Sequence, residues 1–152
     1  MIKSNTYRAA GAIIVANDTK NILLGKRSST SDYPGTWCVF GGGVENGESL
    51  EHTIRRELLE ETKFTSSIRL CPLGADRSPH FEYQTYLGIV TKEFVPVLNS
   101  EHTEYTWDTL EMILNLNLHP KFRSFLERPE NIIRIKDMSN RDTRSSLKPF
   151  MM

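Results

Sequence analysis

Cysteine is scarce: only Cys38 and Cys71 occur among 152 residues. Two thiols cannot by themselves cage zinc or staple a secreted scaffold, so both read as small packed side chains of a reducing compartment. No apolar run approaches the roughly 18 residues that a membrane span needs. The opening Met1-Ile2-Lys3-Ser4-Asn5 lacks the apolar centre of a secretory signal. Neither sign of charge is in excess, with 19 Lys and Arg against 19 Asp and Glu. That argues against a chain held to nucleic acid by bulk positive charge. What remains is a composition 38% hydrophobic, enough for one core at roughly 100–200 residues per domain. The expectation is a small cytoplasmic domain over residues 1–136, followed by a polar and mobile tail over 137–152 that has no helical or strand period.

Tyr7 to Ala16 is apolar and β-rich, and Asn17-Asp18-Thr19 supplies turn chemistry before Asn21 to Gly25. This predicts a hairpin or two neighbouring strands. Trp37 to Phe40 is a further short strand, which Gly41-Gly42-Gly43 should end. Leu50 to Thr62 is rich in helix formers, has no Gly or Pro, and follows Ser49 as N-cap. Ile68–Leu73, Phe81–Val90 and Thr103–Trp107 read as strands, the second of them central. Pro96 makes Phe94–Leu98 an edge strand or a bend. Leu110–Leu116 and Lys121–Glu127 read as short helices. Strands interrupted by one long helix and closed by others predict an α+β fold, a mixed sheet flanked by helices.

The long helix carries its charge in an unusual place. On a wheel of about 100° per residue, Leu50, Ile54 and Leu58 define the face that meets the sheet. Glu61 falls inside that arc, and Glu57 and Glu60 fall beside it. Carboxylates gathered near a low-dielectric surface repel one another and tend to protonate unless positive charge compensates them. Arg56 can pair with Glu60 one turn on, but one guanidinium does not neutralise three acids. A hard divalent cation does, and Mg²⁺ favours such oxygen ligands. The stripe therefore reads as a metal site in preference to a structural ion-pair network.

The preceding loop, Gly41 to Glu48, contains four glycines. Such a stretch permits positive φ and lets backbone at Gly42 and Gly43 approach a ligand closely. It also leads into a helix N-terminus, where free N–H groups favour anions.

Read together, residues 42–64, GGVENGESLEHTIRRELLEETKF, resemble the signature of the Nudix hydrolases. Gly42, Glu48, Arg56, Glu57, Leu58, Glu60, Glu61 and Phe64 occupy its required positions. There are two departures. Lys63 stands where the family has the Gly that ends the helix, and Phe40 stands where many members have Pro. The strand pattern is similar to that family's α/β/α sandwich.

The resemblance implies Mg²⁺- or Mn²⁺-dependent hydrolysis of a diphosphate linkage in a nucleotide, or in a nucleoside diphosphate joined to another group. It implies Glu57, Glu60 and Glu61 as metal ligands, with the Gly42 carbonyl as a further one. Arg56 would orient these carboxylates, and Glu48 would support the loop and helix by hydrogen bonding. The general base lies among Glu57, Glu101 and Glu104. Glu104 is slightly favoured because it directly precedes the strand Tyr105-Thr106-Trp107. The partner implied is a small molecule: an NDP-sugar, ADP-ribose, a dinucleoside polyphosphate or an NTP. Two rival readings are a nucleotide sensor without turnover and a hydrolase that removes an RNA cap. Related enzymes often pair as homodimers.

Other residues carry less. Arg27, following the Leu23–Lys26 strand, is placed to reach a substrate phosphate, although a solvated basic loop explains it nearly as well. Phe81 and Tyr83 share a face and Tyr86 takes the other, a pattern that suits core packing better than base stacking. Among the four histidines only His102, flanked by Glu101 and Glu104, attracts attention. Arg141, Arg144 and Lys148 read as part of a solvated tail. Specificity is expected in the segments 28–35, 69–80 and 99–104.

Overall fold

The computed structural model describes residues 6–151, with side chains described as far as residue 140. The chain runs β1 (Tyr7–Ala16), β2 (Ile22–Arg27), β3 (Trp37–Cys38), β4 (Phe40–Gly43) and α1 (Leu50–Thr62). It continues with β5 (Arg69–Ser78), β6 (Phe81–Val90), β7 (His102–Asp108), α2 (Leu110–Ile113), α3 (Pro120–Leu126) and α4 (Pro129–Met151). The strands form one mixed seven-stranded sheet in the order β3-β2-β1-β6-β5, with β4 also on β1 and β7 also on β2. This is the α+β sandwich expected.

Strand β1 is apolar on both faces because both faces are covered. Ile13 and Val15 point into one core, with Leu110 and Ile113 of α2, Phe122 and Phe125 of α3 and Ile135 of α4. Ala10, Ala12 and Ile14 point into the other, with Ile54 and Leu58 of α1. β6 runs parallel to β1 over its whole length, from Tyr7↔Phe81 to Ala16↔Val90. The opposite edge of β1 is divided. β4 pairs with residues 9–12 and β2 with Ile14 and Val15, so the sheet forks between β2 and β4. The functional residues gather beside that fork.

Four expectations change. Gly41–Gly43 do not end a strand; they are strand, antiparallel to Ala9–Gly11. Only Gly47 of the four loop glycines has positive φ, at 75°, so the run serves close approach rather than left-handed turns. Phe94–Leu98 is not a strand. It runs along the end of α1, where the Val97 N–H donates to the Thr62 carbonyl (3.0 Å). The strand read over Ile68–Leu73 runs on to Ser78 as β5, so most of the segment 69–80 is strand, and β5 tolerates Pro72 because it lies at the sheet edge with a register shift there.

The fourth change concerns the tail. From Lys136 onward the chain continues helix α4. Ile132, Ile135 and Met138, three residues apart, pack on the core and Ser139 is buried. Polarity in the sequence masked that spacing. The side chains of Arg141, Arg144 and Lys148 lie outside the described residues.

Candidate active site

Helix α1 starts as its sequence dictates. The Ser49 Oγ accepts a hydrogen bond from the His52 N–H (3.0 Å) and so caps an orphan donor. The helix buries Thr53, Ile54, Leu58, Glu61 and Thr62. Glu61 is 2% exposed, an acid inside the hydrophobic seam.

What receives Glu61 is the glycine strand. Its Oε1 accepts a hydrogen bond from the Gly41 N–H at 3.1 Å. A Cβ on Gly42 would sit 2.4 Å from Glu57 Oε2, and one on Gly41 would sit 2.3 Å from the Ala10 carbonyl oxygen. Glycine is therefore what lets strand and acidic helix touch. Burial, and then the nearby charges of Glu57 and Glu101, push the Glu61 carboxyl up to about 9, against a small opposing pull from the Gly41 amide. Glu57 is raised too, chiefly by burial.

Arg56 is the positive hub of this cluster. Its Nε and Nη2 donate to the two Glu48 oxygens (2.5 and 3.0 Å), and Nη2 also donates to the Gly43 carbonyl (2.9 Å). Its Nη1 donates to Glu57 Oε2 (2.9 Å) and, more weakly, to Glu60 (3.4 Å). The guanidinium pulls Glu48 down to about 2. Glu48 also accepts from Thr53 Oγ1 (2.8 Å) and the Glu45 N–H (2.9 Å), which ties the loop to the helix.

The other predicted residues separate. Glu60 lies on the same flank but its side chain is about half exposed. Glu104 faces away from the acids and pairs with Lys26 across the β2–β7 ladder (3.4 Å). The late acid that meets the cluster is Glu101. Its charge acts on both Glu61 and Glu57. Strand alternation puts Glu104 on the Lys26 side, whereas Glu101 sits on the loop before β7.

The His102 ring is buried against Phe40 (4.6 Å between centroids), and burial, then Arg27, lowers it to about 4. Arg27 donates from Nε to the Asp32 carbonyl (2.5 Å) and acts electrostatically on His102, His119 and Tyr83.

The opposite face of β4 carries a floor of rings in which Tyr7 joins the shared face of Phe81 and Tyr83. Tyr7 and Phe81 lie nearly parallel, 5.8 Å apart and 16° inclined, and Tyr83 follows at 6.3 Å. The Tyr7 hydroxyl rests where a Gly43 side chain would stand, and the Tyr83 hydroxyl where a Gly11 side chain would stand. Lys121 Nζ caps Phe81 at 4.5 Å, while Tyr7 is 56% exposed. The parallel pairing of Tyr7 with Phe81 creates this floor, and no local pattern reveals a pairing between residues so far apart in sequence.

The donor set fits a hard divalent cation in kind. Glu57, Glu61 and Glu101 act on one another electrostatically beside the glycine strand, and carboxylate oxygens are the ligand type that such a cation prefers. Among the described residues no three acid or imidazole side chains form a finished metal cage. Arg56 Nη1 instead stands between Glu57 and Glu60.

Comparison with known proteins shows the family. The family model for the NUDIX domain matches residues 6–128. The chain belongs to the Nudix hydrolase family. It is 28% identical over 127 residues to the nucleoside triphosphatase NudI of Escherichia coli O139:H28, covering 74% of this chain and 89% of that protein. The crystal structure of the MutT protein from Methanosarcina mazei Go1 superposes with a TM-score of 0.65 at 29% identity, over 84% of this chain and 95% of that one. The Nudix hydrolase RenU of M. smegmatis has the same fold, with a TM-score of 0.72 at 22% identity over 84% of this chain and 86% of that one.

Both departures from the Nudix signature find a place. Lys63 adopts the left-handed conformation (φ 65°, ψ 17°), and its N–H donates to the Leu59 carbonyl, so it caps α1 where the family uses Gly. Phe40 is 1% exposed in the α1-side core, so it packs and does not stack on substrate. Among the described residues no helix is long and apolar enough to cross a membrane.

Proposed function

We propose that this chain hydrolyses the diphosphate linkage of a nucleotide, with a nucleoside triphosphate as the first substrate to test and Mg²⁺ or Mn²⁺ as the cation. The observation that carries the reading is the buried Glu61, hydrogen-bonded to the Gly41 amide and coupled to Glu57 and Glu101. The name of the E. coli relative supports the triphosphate choice.

Glu57 and Glu61 would hold the cation, Glu60 would join from the helix flank, and the Gly42 carbonyl would be a further ligand. When bound, the cation supplies neutralisation of the diphosphate and acidifies water. Arg56 orients Glu57 while it anchors the loop through Glu48. Glu101 takes the proton from the attacking water, because Glu57 is engaged by Arg56 and Glu61 is buried. The water oxygen bonds to phosphorus as the anhydride P–O bond breaks, and the leaving phosphate carries away the electron pair. Tyr7 and Phe81 offer a flat surface for the base, and Arg27 a positive charge for a phosphate.

The test is incubation with Mg²⁺ or Mn²⁺ and a panel of NTPs, dNTPs, ADP-ribose, NDP-sugars, dinucleoside polyphosphates and capped RNA, followed by identification of products. Release of nucleoside monophosphate and pyrophosphate from a triphosphate is the expected result. Nucleotide binding without any phosphate product from the whole panel would favour the sensor reading instead.

A further inference from the structure

We infer that Asn99 is a positioning residue that staples the Glu101 loop to the acidic helix and so sets where Glu101 stands against Glu61. The inference rests on the proposed role of Glu101.

The last carbonyls of a helix have no partner within it. In α1 they are taken in three ways. Lys63 N–H bonds the Leu59 carbonyl, Val97 N–H bonds that of Thr62, and Asn99 Nδ2 donates to that of Glu60 at 3.1 Å. Asn99 is thus the side chain that reaches from the late loop onto the turn of α1 bearing Glu60 and Glu61. Its Oδ1 turns back and accepts from the Glu101 N–H at 2.9 Å, and its own carbonyl accepts from the His102 N–H at 3.4 Å. One amide group therefore bonds the backbone of both Glu60 and Glu101.

The other side of the loop is held as well. The Glu101 carbonyl accepts from the Ser28 N–H (2.9 Å) and Ser31 Oγ (3.4 Å), and the His102 ring packs on Phe40. These contacts fix the loop to β2 and to the core. Only the Asn99 side chain ties Glu101 directly to the helix backbone among the hydrogen bonds described. Small misplacements of a catalytic group are costly, on the order of 100-fold for about 1 Å. Asn99→Ala removes both bonds. Asn99→Ser is too short to reach the Glu60 carbonyl, so the loop and with it the Glu101 amide are released from α1.

The experiment is a double-mutant cycle with Glu101→Gln. Asn99→Ala is expected to lower kcat about 10- to 100-fold with KM within about twofold, and Asn99→Ser to fall with it. In the Glu101→Gln background the same Asn99 substitutions should cost less than about twofold. An equal loss in both backgrounds, or a change confined to KM, overturns the inference.

Hydrogen exchange at the Glu101 amide provides a readout that needs no turnover. Asn99→Ser is expected to speed exchange there while the melting temperature stays within about 4 °C. Unchanged exchange in Asn99→Ser overturns the staple even if the protein hydrolyses nothing. A wild-type protein inactive on every nucleotide, yet showing faster exchange in Asn99→Ser, overturns the proposed function and leaves the staple standing.

Discussion

Arg56 grips both oxygens of Glu48 with a two-pronged hydrogen bond, Nε at 2.5 Å and Nη2 at 3.0 Å, while its third nitrogen holds Glu57 at 2.9 Å. One guanidinium thus links the loop, the glycine strand and the acids, a task that needs a planar fork rather than a point charge. The Glu48 carboxyl is held at about 2, below its ordinary 4.5. A depressed carboxyl stabilises the fold above its unfolded value, and that stability is lost as pH falls toward the folded value. Wild-type melting temperature should therefore drop between about pH 4.5 and 2, and Glu48→Gln should flatten that part of the profile.

Glu61 predicts the opposite slope. Its carboxyl is raised from 4.5 to about 9, so over this interval the unfolded chain ionises it and the folded chain does not. Stability falls as pH rises through that window. Glu61→Gln should melt higher than wild type at pH 7–9 and lose most turnover. Mg²⁺ should raise the wild-type melting temperature more than that of Glu61→Gln. A variant with full turnover would remove Glu61 from the reaction.

The two late acids should differ sharply. Glu101→Gln is expected to reduce kcat by about 100-fold or more, within the 10²–10⁴ contribution of a positioned base. Glu104→Gln breaks an exposed pair with Lys26, worth about 0–1 kcal/mol, and should leave kcat within about twofold. Steady-state kinetics on the preferred nucleotide would decide, and the reverse ranking would restore Glu104.

Neighbouring glycines should fail in different ways. In Gly42→Ala the new methyl meets the far end of the Glu57 side chain, which can swing away. The fold should survive while turnover drops about 10- to 100-fold. In Gly41→Ala the methyl meets the Ala10 backbone, and destabilisation of about 1–3 kcal/mol is expected. Denaturant melts beside kinetics would separate the two.

Lys63→Gly should stabilise the protein, because a left-handed residue with a Cβ costs roughly 1–2 kcal/mol, partly offset by the freer unfolded chain. A net gain of about 0.5–1 kcal/mol, read from chemical denaturation, is the expectation.

Much of this protein was written locally. Ser49, the spacing of Ile54, Leu58 and Glu61, and the absence of Gly or Pro determine helix α1 and place acids on its buried side. Alternation and turn residues likewise determine β1, β2 and β6, since side-chain period and backbone restriction act within a few residues. The signature acids could be named for the same reason. Local polarity hid α4, whose apolar side shows only against the core that it covers.

What tertiary structure decided is which distant groups meet. The separation of Glu104 from the acids that Glu101 approaches, the Asn99 bridge and the Tyr7–Phe81 floor all depend on strand register and on a loop laid against a helix end. Chain separation carries no local signature of such contacts. They exist because pairing the strands and satisfying the backbone at the end of α1 bring these segments together.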